Sequence, residues 1–167
     1  MIISLIGFMG TGKTTVGKKL ARRLDFNFFD TDQIIEDKTG LNIKKLFKIH
    51  GEDYFRSLET EVLRQICTNK SNIVLSTGGG IILKKVNRRI LLKYTHPVLL
   101  KASVEEILER VDIQKRPLLC CKNPCKKVEL LLDEREELYE IFSPKINTDN
   151  KNQEALVEEI IKKIQRC

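Results

Sequence analysis

Gly7-Phe8-Met9-Gly10-Thr11-Gly12-Lys13-Thr14 reads G-x-x-x-x-G-K-T, the spacing of a phosphate-binding P-loop. In a loop of this kind the backbone N–H groups converge on phosphate oxygens, and glycines permit the turn that aims them. Lys13 is then expected at the β- and γ-phosphates, and the Thr14 hydroxyl on Mg²⁺. The flanks agree with the motif. Ile2-Ile3-Ser4-Leu5-Ile6 is an apolar run fit for a buried parallel strand. After Thr14, apolar Val16, Leu20, Ala21 and Leu24 recur at helical spacing, opposite Lys18, Lys19, Arg22 and Arg23. Strand, glycine loop and helix follow in the order such a site needs, and the helix N-terminus adds partial positive charge.

Composition narrows the class. At 167 residues, 41% hydrophobic and 32% charged, the chain reads as one soluble domain spanning 1–167. Gly7 interrupts the first apolar run, so no signal-peptide core forms, and nothing approaches a membrane span. The expectation is a cytoplasmic protein with no membrane partner. The net charge of +7 raises nucleic acid as a partner, but the basic clusters are scattered and aromatics make up only 6%. A lysine-rich surface with an anion-binding cleft accounts for the charge, so no nucleic-acid partner is expected. Five cysteines are an odd count, and Cys120-Cys121-x-x-x-Cys125 lacks the paired spacing of a zinc site. They read as free thiols.

Outward from the loop, Phe26 to Phe29 reads as a second strand, running into Asp30-Thr31-Asp32. Carboxylates at a strand's carboxyl end stand where open α/β sheets hold their ligands. Two positions apart, they can serve different partners, a metal and an acceptor; Asp32 or Thr31 can also open a helix. Asn42 is a candidate cap for a short helix over 43–49, broken at His50-Gly51. Glu52 to Ile66 is strongly amphipathic and sets Arg56 between Glu52 and Glu59. Alone, that is an ordinary surface charge ladder, but it would also brace a guanidinium for a carboxylate. Ile73 to Ser76 reads as a strand that enters Thr77-Gly78-Gly79-Gly80, more glycine than a turn requires.

A helix is predicted over 84–93, a strand over 97–100, and a helix capped by Ser103 that ends at Arg110. Periodicity is lost over 112–127, where Pro117 and Pro124 occur; a segment this long is a candidate lid and carries Arg116. One helix to about Phe142, bearing Arg135 and Tyr139, a strand over 145–147 and a last helix complete the chain. Alternating strands and helices predict an α/β protein, a parallel sheet with helices on both faces.

Taken together, Gly7–Thr14, Asp30-Thr31-Asp32, Gly51 to Arg56 with Glu59, Gly78-Gly79-Gly80, Asn87-Arg88, Arg116 to Leu119, and Arg135 with Tyr139 resemble the shikimate kinases along nearly the whole chain. The resemblance implies a three-layer P-loop NTPase fold of the nucleoside monophosphate kinase group, a five-stranded parallel sheet in order 2-3-1-4-5 with a mobile lid. It implies ATP-dependent phosphorylation of the shikimate 3-hydroxyl, in chorismate and aromatic amino-acid biosynthesis, by a monomer. ATP phosphates would lie on Gly10, Thr11, Gly12, Lys13, Thr14 and Thr15, with Arg110 at the adenine and Arg116 closing onto the phosphates. Thr14 and Asp30 would hold Mg²⁺, Asp30 through water. Shikimate would lie on Asp32, Gly78, Gly79 and Gly80, its carboxylate on Arg56 and Arg135. Catalysis would fall to Lys13, Asp32 and Arg116.

Three features depart from the family pattern. Thr14 replaces the usual serine, the segment 112–127 is rich in cysteine, and Thr148 to Gln153 lacks the arginine and proline usual near the adenine. Two rival readings remain: a P-loop kinase for another polyol acid such as gluconate, and a nucleotide-binding regulator without catalysis. Asp30-Thr31-Asp32 and Arg56 with the glycine run oppose the first, and the presence of Lys13, Asp32 and Arg116 opposes the second.

Overall fold

A computed structural model describes residues 1–113, 117–119 and 121–165. Its centre is β1 (Ile2–Ile6), whose side chains are all buried. The strand lies between β3 (Ile73–Ser76) and β4 (His96–Lys101), with β2 (Asn27–Asp30) and β5 (Lys145–Asn147) at the edges. The order is β2-β3-β1-β4-β5 and every pairing is parallel. Both faces are covered, so the central strands are apolar without alternation.

The helices divide by face. Helices α1 (Lys13–Leu24) and α8 (Gln153–Ile164) pack Val16, Leu20, Leu156 and Ile160 onto Ile3, Leu5, Val74 and Val98. Opposite lie α2 (Thr31–Thr39), α3 (Ile43–Asn69), α4 (Lys85–Tyr94), α5 (Val104–Arg110), α6 (Pro124–Asp133) and α7 (Glu136–Glu140). This larger half-core gathers Ile6, Phe8, Phe55, Leu63, Leu75, Leu91, Leu99, Phe142 and Tyr139.

Several boundaries differ from the sequence reading. Asp30, rather than Thr31 or Asp32, caps α2, its side chain accepting from the Asp32 N–H. Asn42 caps α3 as expected, and that helix is broken at Gly51 (φ 80°, ψ 173°). A short 3₁₀ turn over Ile81–Leu83 precedes α4. The single helix predicted to reach Phe142 is two, because the backbone tightens at Arg135, whose N–H bonds Leu132 O at 3.1 Å. No helix-breaking residue marks that point.

Of the segment 112–127, the last four residues already belong to α6, with Asn123 capping it. Leu119 in the segment's middle is fully buried in the larger half-core. Arg116 and Cys120 lie outside the described residues.

Candidate active site

The carboxyl ends of β1, β2 and β3, with Thr148 just past β5, open on one cleft of about 1560 Å³. Its floor is the loop between β1 and α1. Gly10 and Gly12 hold φ of 81° and 88°, a left-handed backbone that favours glycine, and Gly12 passes directly into α1. Lys13 is buried, its ammonium donating to Gly7 O at 2.8 Å and Phe8 O at 2.7 Å. The carbonyls draw the charge over the loop, where a phosphate would lie.

Parallel register places the next groups. Asp30 is paired with Ser76 across β2 and β3, and α1 begins beside them. Thr14 Oγ1 donates to Asp30 Oδ2 at 2.8 Å and lies 3.3 Å from Ser76 Oγ. This is an oxygen-only donor set, as Mg²⁺ requires, and it is small enough to leave positions for water and phosphate. The residues therefore fit the ion. Among the described residues no cluster of three His, Cys, Asp or Glu could hold a metal by itself.

Asp32 lies one step further into α2 and faces the glycine run instead. A Cβ on Gly78 would stand 2.6 Å from both Asp32 Oδ1 and Glu59 Oε1, so only glycine lets these carboxylates approach the strand end. Gly80 likewise abuts the Arg56 guanidinium where any side chain would stand. The run is fastened at each step: Gly78 N–H to Thr31 Oγ1 at 3.0 Å, Gly79 O to the Tyr139 hydroxyl at 2.5 Å, and Gly80 O to Leu83 N–H at 3.0 Å.

Behind the glycines lie both arginines. Arg56 is 6% exposed and Glu59 is wholly buried, which removes the surface-ladder reading. Arg56 donates to Glu59 Oε2 at 2.6 Å and, through Nε and Nη2, to Glu52 Oε1 at 3.1 and 2.8 Å. Burial alone would lower the Arg56 pKa, but Glu59 and Glu52 raise it above its ordinary value. Burial pushes the Glu59 carboxyl up to about 7, against the pull of Arg56 and with repulsion from Asp32.

Arg135 is 4% exposed, its guanidinium 5.8 Å from the Phe8 ring centroid. Among the described residues its Nε and Nη1, like Glu59 Oε1, are buried without a hydrogen-bond partner. Orphaned donors on a buried cation, beside an open cleft, are what an anionic ligand would satisfy.

The structure thus brings Gly10 to Thr15, Asp30, Asp32, Gly79 and Arg110 to the cleft wall. Gly78, Gly80, Arg56 and Arg135 lie behind that wall. Arg116 is outside the described residues. Sequence reasoning missed Ser76 beside Thr14, Phe8 beneath Arg135, and Thr148, whose hydroxyl and carbonyl accept from Arg110 at 2.9 and 3.2 Å. Ser76 was discoverable from register, since it ends the strand beside Asp30; the other two depend on tertiary packing.

The geometry has counterparts. The shikimate kinase family model matches residues 9–165. A shikimate kinase of Sulfurihydrogenibium sp. is 42% identical over 165 residues, 98% of each chain. One from Caldanaerobacter subterraneus is 44% identical over 161 residues, 96% of this chain and 94% of its own. The structure of shikimate kinase from Acinetobacter baumannii in complex with shikimate superposes with TM-score 0.95 at 40% identity, covering 99% of this chain and 93% of that one. A deoxyadenosine kinase from M. mycoides, at 17% identity and TM-score 0.63, shares the fold alone. With its P-loop, paired arginines and glycine run in this arrangement, the chain belongs to the shikimate kinase family.

Proposed function

We infer that this chain transfers the γ-phosphoryl group of ATP to the 3-hydroxyl of shikimate, giving 3-phosphoshikimate and ADP on the way to chorismate and the aromatic amino acids. One observation carries the acceptor assignment. Two buried arginines lie behind a glycine run, one with orphaned donors, and Asp32 stands at the run's mouth. A small polyhydroxylated carboxylate satisfies both ends.

The residue roles follow from phosphoryl-transfer physics. Negative charge spreads over the transferring oxygens, so positive charge already in place does most of the catalysis. Lys13 leaves the Gly7 and Phe8 carbonyls for the β- and γ-phosphates, and the amides of Gly10 to Thr15 hold the remaining oxygens. Thr14 and Asp30 would hold Mg²⁺, which supplies charge neutralisation on the phosphates when bound. Asp32 orients the acceptor hydroxyl and takes its proton as the new O–P bond forms; the old bond's electron pair leaves with ADP. Arg56 and Arg135 grip the carboxylate. Arg110, set by Thr148 and by an ion pair with Glu106, offers its guanidinium face to the adenine. Arg116 would add charge to the phosphates. The resemblance further supports a monomeric, cytoplasmic enzyme that folds as one domain.

Turnover of ATP measured with shikimate, with gluconate and with no acceptor tests the assignment. Turnover that depends on shikimate and is absent with gluconate is expected. Equal turnover with gluconate would restore the rival acceptor class, and none with either would leave only nucleotide binding.

A further inference from the structure

Resting on the acceptor assignment above, we propose that Tyr139 is a positioning residue that ties the two ends of the acceptor pocket together and so sets their separation. The observation is one residue with two attachments, one through its backbone and one through its side chain. Through its backbone N–H, Tyr139 bonds the Arg135 carbonyl at 3.1 Å, so its position follows the turn that presents the guanidinium. Through its hydroxyl it donates to Gly79 O at 2.5 Å, 60 residues away in sequence. The ring between these attachments is 6% exposed and packed in the larger half-core.

Among the described residues no other side chain bonds the Gly79 carbonyl, and three glycines in a row have little conformational preference of their own. The hydroxyl therefore sets the plane of the Gly79–Gly80 peptide. Its proton is available as donor because a phenol is protonated at neutral pH, and burial raises its pKa further, to about 12. Arg135 and Gly79 thus move as one body, with the carboxylate end and the hydroxyl end of the acceptor at a fixed span. A pocket with a fixed span favours a ligand of one length bearing both groups, which is a specificity device rather than a catalytic one.

Tyr139→Phe removes only the hydroxyl and keeps the packing. The variant should show a shikimate KM raised about 3–10-fold, the loss of one buried neutral hydrogen bond. Its kcat at saturating shikimate and its ATP KM should stay within about twofold of wild type. Discrimination between shikimate and an analogue with a primary alcohol in place of the carboxylate should fall by a similar factor. Ile160→Val, a destabilising change in the opposite half-core, is the control for stability alone and should leave both quantities unmoved. An unchanged KM in Tyr139→Phe, or the same rise in Ile160→Val at equal loss of Tm, would overturn the proposal. If wild type itself fails to phosphorylate shikimate, the acceptor assignment falls and this inference with it. Wild-type turnover beside an unaffected variant removes the tie alone.

Discussion

Among single residues, Lys13 and Arg56 separate the two halves of the site. Lys13→Met should fold normally by circular dichroism yet lose roughly 10²–10³ in kcat, as loss of one preorganised charge partner typically costs. Near-full turnover would remove it from the phosphates. Arg56→Lys keeps the charge but cannot form the fork that now meets Glu52 and Glu59. Shikimate should bind about 1.5–3 kcal/mol more weakly in calorimetric titration, with ATP affinity unchanged. Unaltered shikimate binding would move the carboxylate elsewhere.

Glu59 makes a prediction of opposite character. Its carboxyl is pushed up to about 7 in the fold and returns to near 4.5 on unfolding. Between those values the folded protein holds more protons, so its stability falls as pH rises through the window and levels off above it. Glu59→Gln keeps the shape and removes the titration. The unfolding free energy of wild type minus that of Glu59→Gln, from urea melts, should therefore drop from pH 5 to 7 with a slope of at most about 1.4 kcal/mol per unit. A flat difference would mean Glu59 stays ionised beside Arg56 throughout.

At the scale of elements, the break in α3 has a backbone cause. Gly51 adopts φ 80° and ψ 173°, which non-glycine residues avoid, although a Cβ there would meet nothing within 4 Å. Gly51→Ala thus changes conformational energy and no contact. It should cost about 1–3 kcal/mol of stability. It should also raise the shikimate KM while sparing the ATP KM, because the break sets where Glu52 meets Arg56. An effect on the ATP KM alone would show that the break serves the nucleotide side.

How far these elements could be read from the sequence varied for physical reasons. The strand–loop–helix around Lys13 was legible because periodicity and glycine spacing are local signals, and Gly51 announced its own break. The division of α6 from α7 was not, because Asp133-Glu134-Arg135-Glu136 contains no breaker. What turns the chain there is the tertiary demand that Arg135 reach Phe8 and Tyr139 reach Gly79. Asp30 and Asp32 were expected to serve separate partners, and they do face different sides. One bonds Thr14 while the other approaches the glycine run. The burial of Arg56 was invisible in its own helix, whose charge spacing suits a solvent-exposed ladder equally well.

At the scale of the molecule, thiol chemistry offers a test that needs no variant. Cys67 is partly buried and its pKa is raised to about 11 by that burial, whereas Cys121 and Cys125 are exposed. Of these three, Cys121 and Cys125 should therefore be alkylated before Cys67. With ATP and shikimate present, Cys121 and Cys125 should react more slowly if the 112–127 segment closes over the ligands. Equal rates with and without ligands would count against closure.

The position of β1 at the middle of the sheet has a consequence for how the chain is made. Ile2 pairs with Ile73 and Ile3 with His96, so β1 leaves the ribosome some 70 to 95 residues ahead of its two neighbours. At elongation rates of about 5–20 residues per second, that is several seconds or more for a strand with no polar side chain but Ser4. During this interval both of its edges are open to other apolar segments. The strand that carries the phosphate loop thus spends its first seconds outside the ribosome with both edges unpaired, where a chaperone's cover would protect it.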